Sequence, residues 1–278
     1  MNDGTLYRLA AFADDGKGGN PAGVWIGDSL PDREVMQAVA KDVGFSETAF
    51  VAPAKGARRT IRYYSPEAEV SFCGHATIAT GVVLGQSEGE GTYRLSTAVG
   101  EVPVTAKLAN GRFEASLTSV NPRYKVVPGN VLDAALGHLG WSRQDLDESL
   151  RPAIAYAGAW HLVLAASNAD RLAELDYDFE SLKLLMLQND LTTLQLIWRE
   201  NESLFHSRNP FPVGGVVEDP ATGASAAALG GYLRDSGYIA APFSFSIRQG
   251  EKMGRPSLLQ VNVPPDGGIT VSGTAVPI

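Results

Sequence analysis

Three polar side chains of this 278-residue chain could move or hold a proton. Glu47 lies in F-S-E-T-A-F-V between two phenylalanines, an apolar neighbourhood that would partly desolvate a carboxylate base acting on a C–H proton. His75, in S-F-C-G-H-A-T, comes at the start of a predicted helix, where its imidazole could donate to or orient a substrate oxygen. Asp219, in E-D-P-A-T-G, precedes a second predicted helix in the same way. Together these residues indicate acid–base chemistry.

Each of these residues also has an ordinary structural explanation. Glu47 could be a carboxylate at a strand edge, and Asp219 could cap the helix that follows it. His75 could be a turn residue that satisfies backbone groups. Cys73 is the only cysteine in the sequence, and such a residue is more often a small buried apolar side chain than a nucleophile. A single cysteine excludes an internal disulfide and a zinc site built from several cysteines, so no metal is predicted.

The composition narrows the class of protein. Apolar residues make up 44% of the chain and charged residues 19%, which is typical of a globular protein. A net charge of −8 without basic stretches argues against binding to nucleic acid or to an anionic membrane. No apolar run approaches the roughly 20 residues of a membrane-spanning helix, and the first residues lack the basic start and apolar core of a signal peptide. We therefore expect a cytoplasmic protein with neither a nucleic-acid nor a membrane partner.

Hydrophobic periodicity and turn residues predict strands in both halves of the chain, with a few helices between them. In the first half, strands are predicted at residues 5–13, 22–26, 58–65, 93–97, 102–108 and 112–117, with Glu47 at the beginning of a further strand, and helices at 31–43 and 76–84. In the second half, strands are predicted at 153–156, 160–165, 194–198, 243–248, 258–263 and 269–272, and helices at 131–138, 182–189 and 224–235. The polar, proline-containing stretch 118–130 is predicted to separate two domains, 1–120 and 121–278, with the last strand near 269–278 able to pair with the first domain.

Each half contains one helix rich in alanine and glycine, which begins in C-G-H-A-T-I-A-T-G or in D-P-A-T-G-A-S-A-A-A. Small residues let strands approach a helix axis closely. The predicted fold class is therefore α+β, with two similar lobes that each wrap a curled, mostly antiparallel sheet around a central helix. Two helix N-termini facing one cleft would hold an anion such as a carboxylate through their free backbone N–H groups. Gly74 and Gly223 would let that anion approach the backbone.

Four segments resemble, in order, the signatures of the PhzF-like family of phenazine-biosynthesis-type isomerases. They are G-N-P-A-G-V (19–24), F-S-E-T-A-F-V (45–51), Y-Y-S-P-E-A-E-V-S-F-C-G-H-A-T (63–77) and E-D-P-A-T-G (218–223). The resemblance runs from the first predicted strand to the last. It implies a diaminopimelate epimerase-like fold with the active site between the lobes, a homodimer, and a reaction that needs neither a metal nor an organic cofactor.

The resemblance also implies roles for individual residues. The family's glutamate, which moves a proton within an unsaturated hydroxy-amino acid, matches Glu47. The family's histidine and aspartate match His75 and Asp219. Gly74 and Gly223 match backbone donors at the substrate carboxylate. The other residues expected to bind substrate are Asn20, Ala76, Ala224 and Ser225.

One position departs from the family pattern. The family usually continues D-P-x-T-G-S, and that serine contributes to the site, whereas this chain has Ala224 followed by Ser225. A shift of one residue along a helix turns a side chain by roughly 100° about the helix axis. Either the substrate differs from that of the family's best-known member, or a backbone N–H replaces the hydroxyl.

We therefore expect a cofactor-independent isomerase that moves a proton within a small, carboxylate-bearing metabolite, with Glu47 as general acid and base. Two alternatives remain open. An epimerase or racemase would use Cys73 and Asp219 as an opposed pair, because related cofactor-independent racemases place one cysteine on each face of the substrate. Alternatively, the protein would be non-catalytic: it would retain the cleft and bind a metabolite or a partner there without catalysing a reaction.

Overall fold

The computed structural model describes residues 4–54, 58–98 and 100–278. The chain forms two compact units, one of Met1–Thr118 with Ser272–Ile278 and one of Ser119–Val271. Among the described residues, none of the helices combines the length and the apolar character needed to cross a membrane.

The described residues of the first unit form eight strands and two α-helices before the chain enters the second unit. Its strands are β1 (Gly4–Ala11), β2 (Asn20–Gly27), β3 (Glu47–Pro53), β4 (Arg58–Tyr64), β5 (Glu69–Val70), β6 (Gly91–Thr97), β7 (Gly100–Ala109) and β8 (Arg112–Thr118), and its helices are α1 (Arg33–Val43) and α2 (Gly74–Glu88). Antiparallel pairs join β1 to β2, β3 to β4, β6 to β7 and β7 to β8. Parallel pairs join β2 to β3 and β4 to β6.

Helix α2 is the centre of the first unit, because its residues from His75 to Gly85 are all buried. Strands β1, β2, β3, β6, β7 and β8 pack around it. Two glycines make this packing possible. A Cβ atom at Gly81 would lie 2.7 Å from a methyl group of Val104, and one at Gly85 would lie 2.6 Å from the ring of Phe113. Both distances are shorter than van der Waals contact, so only glycine lets these strands come this close.

The second unit has eight strands and four α-helices of its own. Its strands are β9 (Arg123–Val126), β10 (Ala153–Tyr156), β11 (Trp160–Ala165), β12 (Thr193–Asn201), β13 (Leu204–Phe211), β14 (Val216–Asp219), β15 (Phe243–Gln249) and β16 (Ser257–Val263), and its helices are α3 (Gly129–His138), α4 (Ala169–Ala173), α5 (Phe179–Gln188) and α6 (Gly223–Asp235). Short 3-10 turns lie at Arg143–Asp145, Pro212–Gly214 and Glu251–Met253. The last strand, β17 (Thr270–Pro277), pairs its final residues antiparallel with β1.

Helix α6 is the centre of the second unit and is buried from Ser225 to Leu233. Strands β9, β10, β11 and β16 pack against it. A second apolar core joins α3 and α5 to the neighbouring strands through residues such as Leu136, Met186 and Leu196. Each unit therefore wraps a mostly antiparallel sheet around a helix of small residues, and the predicted α+β fold class is confirmed.

Several predicted elements differ from those observed. The predicted strand 5–13 ends at Ala11, because Phe12 has a left-handed φ of 62°. The polar stretch 118–130 is predicted to be a bridge, but it contains β9, a strand of only four residues, all of them exposed. Strands β13 and β14 were not predicted either, because LFHSRNPF contains a proline and the four-residue VVED ends in two acidic residues, and both residue types are uncommon inside strands.

Candidate active site

Glu47, Cys73 and His75 form one cluster in the first unit. Glu47 is the first residue of β3, Cys73 is the N-cap of α2, and His75 lies in the first turn of that helix. A carboxylate oxygen of Glu47, Oε2, lies 3.4 Å from His75 Nε2. The sulfur of Cys73 lies 3.4 Å from His75 Nδ1. The Glu47 side chain remains 21% exposed, so it can be reached by a small molecule, whereas the His75 side chain is 10% exposed.

Ser46 joins this cluster and was not among the predicted site residues. Its hydroxyl oxygen lies 3.4 Å from His75 Nε2, and the residue as a whole is exposed. The same imidazole nitrogen therefore faces both Ser46 and Glu47. The position of Ser46 directly before Glu47 in F-S-E-T was the only sequence signal that pointed to this serine.

The first turn of α2 is supported by buried hydrogen bonds and has open space beside Gly74. Thr77 donates a hydrogen bond of 2.6 Å to the carbonyl oxygen of Cys73, and the Tyr63 hydroxyl lies 2.6 Å from the same threonine oxygen. Burial raises the pKa of Tyr63, so its phenol stays protonated. A Cβ atom placed on Gly74 would meet no other atom within 4 Å, so a small ligand can approach the backbone at this helix terminus.

Two predicted substrate-binding residues of the first unit are buried. Asn20 begins β2, two residues before Ala22, which is paired with Glu47 in the parallel register of β2 and β3. Asn20 is 2% exposed and Ala76, in the first turn of α2, is fully buried. A contact between either side chain and a substrate stays a prediction. The backbone N–H of Ala76 needs no side-chain exposure to serve as a donor.

Asp219 lies in the second unit, at the end of β14, in a turn that leads into α6. Its Oδ2 atom accepts a hydrogen bond of 2.5 Å from the Thr222 hydroxyl. The N-cap of α6 is Thr222 rather than Asp219. The structure thus places the Asp219 carboxylate beside the helix terminus without making it the N-cap of the helix.

Gln249 holds this turn and had no role in the sequence-based prediction. Its amide nitrogen donates to the carbonyl oxygen of Asp219 at 2.7 Å and to the Thr222 hydroxyl at 3.0 Å. Its amide oxygen accepts from the Thr222 backbone N–H at 3.3 Å. Gln249 is 1% exposed, so these bonds form away from bulk water. The amide acts as a two-ended clamp on a turn that lies 27 to 30 residues earlier in the chain.

Ser225 supports the first turn of α6 from inside the unit. Its hydroxyl accepts a hydrogen bond of 2.7 Å from the Asn209 amide and donates one of 3.0 Å to the Thr222 carbonyl oxygen. Ser225 is fully buried, whereas Gly223 and Ala224 are half-buried. A direct contact between Ser225 and a substrate stays a prediction, and it would require these internal bonds to break.

A buried ion pair anchors the strand that carries Asp219. Arg208 donates to both carboxylate oxygens of Glu218, at 3.0 and 2.6 Å, and also to the carbonyl oxygen of Ala173 at 2.8 Å. The side chain of Glu218 is 4% exposed. Next to it, the Tyr177 hydroxyl donates to the carbonyl oxygen of Val217 at 2.6 Å. Burial, assisted by the Glu218 charge, raises the pKa of Tyr177 to about 12 and keeps this donor protonated.

Comparison with known proteins agrees with this architecture. The family described as "Phenazine biosynthesis-like protein" matches residues 9–278. An uncharacterized isomerase of Bacillus subtilis is 28% identical over 99% of this chain and 97% of its own length. The trans-2,3-dihydro-3-hydroxyanthranilate isomerase of Pseudomonas fluorescens is 31% identical over 90% of this chain and 87% of its own length. A PhzF-family crystal structure from Bacillus anthracis, at 24% identity, superimposes with a TM-score of 0.86 over 98% of this chain and 96% of its own.

The family match covers nearly the whole chain and includes the segments around Glu47, His75 and Asp219. The resemblance inferred from the four sequence motifs is confirmed by this match. The chain belongs to the phenazine biosynthesis-like PhzC–PhzF family, several of whose relatives carry the name isomerase.

Proposed function

We propose that this protein is an isomerase that moves a proton within a small carboxylate-bearing metabolite, without a metal or an organic cofactor. The observation that carries the proposal is the contact between the Glu47 carboxylate and His75 Nε2, 3.4 Å apart at the edge of the first turn of α2. A partly exposed carboxylate beside an imidazole is the combination that general acid–base catalysis uses. The names of the relatives support the reaction class.

In the proposed reaction Glu47 removes a proton from a substrate carbon, and the electron pair left on that carbon moves into the adjacent unsaturated system. The protonated Glu47, whose partly exposed O–H exchanges with solvent, then delivers a proton to another carbon of that system. No oxidant or reductant is needed, because one C–H bond breaks and one forms. His75 stabilises the carboxylate before the transfer and can donate to a substrate oxygen as negative charge develops there.

The helix termini are proposed to hold the substrate carboxylate. The first turn of α2 offers the backbone N–H groups at Gly74 and Ala76, and the first turn of α6 offers those of Gly223 and Ala224. Free N–H groups and the helix dipole favour an anion at such a terminus. Asp219, fixed by Thr222 and Gln249, is proposed to accept hydrogen bonds from a hydroxyl or amino group of the substrate.

An epimerase that uses Cys73 and Asp219 is the second candidate, and the contact between Cys73 Sγ and His75 Nδ1 favours it. An imidazole at this distance can take the thiol proton and so produce the thiolate that attacks a C–H bond. In that case Cys73→Ser abolishes turnover, whereas the isomerase tolerates the substitution.

The proposal is tested by proton exchange in D2O. The purified protein is incubated with a panel of amino and hydroxy carboxylic acids, and the gain in mass is measured by mass spectrometry. We expect the wild type to exchange at least one of them and Glu47→Gln to lose about 100-fold or more of that rate. Glu34→Gln is the matched control, because Glu34 is an exposed carboxylate in the first turn of α1.

The outcomes of this screen separate the candidates. Exchange that persists in Glu47→Gln would refute the role of Glu47. Binding without exchange for every compound would favour a metabolite-binding protein. Exchange that is lost on treatment with a chelator would refute the metal-independent reaction. A homodimer, which the family resemblance implies, stays a prediction that sedimentation velocity checks.

A further inference from the structure

The cluster at the start of α2 contains three different kinds of metal ligand. Within residues 4–54, 58–98 and 100–278, Glu47, Cys73 and His75 are the one group of three such residues whose ligand atoms lie close together, all within 4.8 Å of one another. A carboxylate, a thiol and an imidazole in one half-buried group are a donor set that zinc accepts.

Two of the three separations between ligand atoms are close to those around a tetrahedral ion, and the third, between the Glu47 carboxylate and the Cys73 sulfur, is no more than 4.8 Å. A zinc ion with ordinary bonds to sulfur, nitrogen and oxygen separates its ligand atoms by about 3.3–3.6 Å. His75 Nε2 lies 3.4 Å from Glu47 Oε2 and 3.8 Å from Cys73 Sγ. A rotation of the imidazole that turns Nε2 toward the sulfur, with a small movement of the partly exposed Glu47 side chain, completes the arrangement.

We propose that this cluster binds a zinc-class divalent cation through Glu47, Cys73 and His75, with water in the fourth position. Sulfur and imidazole ligands favour Zn²⁺ over Mg²⁺ and Ca²⁺, which prefer oxygen. The ion would occupy the carboxylate that the proposed isomerase reaction uses, so the site is inhibitory for that reaction. The binding itself does not depend on the proposed function.

A second cluster shows why geometry, and not residue type alone, selects the site. His206 contacts Glu200 Oε2 through Nε2 at 2.7 Å and Glu251 Oε2 through Nδ1 at 3.1 Å. The two carboxylates therefore lie at opposite nitrogens of one ring, and a single ion cannot bind both together with the imidazole. His206→Asn is for this reason a suitable control.

Cobalt titration tests the site, because Co²⁺ takes tetrahedral zinc sites and gives a near-ultraviolet charge-transfer band when a thiolate binds it. The chain has one cysteine, so that band can only report on Cys73. We expect metal-free reduced protein to develop the band with saturation at one Co²⁺ per chain, and Zn²⁺ to abolish it. Cys73→Ser should lack the band, Glu47→Gln and His75→Asn should bind about tenfold or more weakly, and His206→Asn should match the wild type.

Either of two results would overturn the site. One is the absence of a saturable band in the wild type, which no folding defect of a variant can explain. The other is unchanged cobalt affinity in folded Glu47→Gln and His75→Asn, which would mean that the thiol alone holds the ion. Because no substrate is used, failure here leaves the isomerase proposal intact, and failure of the D2O screen leaves the metal site intact.

Discussion

His161 makes the stability of this protein depend on pH in a way that can be calculated. It lies in β11, is fully buried, and places Nδ1 2.8 Å from the Thr193 hydroxyl, while its Nε2 has no hydrogen-bond partner among the described residues. Burial without a compensating charge lowers the pKa of His161 from 6.5 to about 3. The folded protein therefore keeps this imidazole neutral over a range of pH in which the unfolded chain is protonated.

The direction and the size of the effect follow from linkage. Since the folded pKa is the lower one, the unfolded chain takes up the proton first as the pH falls, and the free energy of unfolding decreases between pH 6.5 and about 3. The loss due to His161 is about 0.4 kcal/mol at pH 6.5 and about 2 kcal/mol at pH 5.0. Above pH 7.5 the contribution of this group is constant.

The assay compares the wild type with His161→Gln, whose amide can still bond to Thr193 but does not titrate. Urea unfolding is followed by tryptophan fluorescence at several values between pH 7.5 and 5.0. The other titratable groups affect both proteins equally, so their contributions cancel in the difference. We expect the wild type to lose about 2 kcal/mol more than the variant over this interval. Parallel pH dependences for the two proteins would refute the reasoning, because they would show that His161 is not buried as a neutral group.

Three further experiments test the packing of α2 and the support of Asp219. Gly81→Ala would place a Cβ atom 2.7 Å from a methyl group of β7 and 2.8 Å from one of β8, so we expect a loss of about 1–3 kcal/mol in thermal unfolding. Gly137→Ala, in α3, is the control: its Cβ atom would meet open space, so the substitution should be neutral or stabilising. If Gly81→Ala and Gly137→Ala change the stability equally, the close packing of α2 is refuted. Arg208→Met leaves Glu218 buried without its cation and should lower the free energy of unfolding by about 3–5 kcal/mol. Adding Glu218→Leu to the same chain should restore much of this loss. If the losses of the two substitutions simply add, the two residues are not a coupled pair. Gln249→Leu removes the hydrogen bonds that hold the turn before α6, so we expect faster amide hydrogen exchange in residues 216–226 and a loss of about 1–3 kcal/mol in the free energy of unfolding. Exchange in α2 should be unchanged. Undisturbed exchange in residues 216–226 would show that the turn is stable without the Gln249 amide.

The two central helices were predictable because their signal is local. Runs of alanine, glycine and threonine after C-G-H and D-P-A-T-G exclude a polar face, and a helix without a polar face must be surrounded. Strands β9, β13 and β14 carried no such signal. Strand β9 pairs with β10 and β13 pairs with β15, and such pairing with segments farther along the chain overrides a weak local pattern, while β14 pairs with its neighbour β13.

The sequence by itself determined which residue types are present for chemistry, where the two small-residue helices begin, and to which family the chain belongs. Those properties depend on composition and on spacing over a few residues. Only the tertiary structure decided that Glu47 meets His75, that Gln249 clamps the turn after Asp219, and that the hydroxyl of Ser225 turns inward. These pairs are separated by 16 to 30 residues, and the distance between such partners is set by strand register and helix packing, which no short stretch of sequence contains.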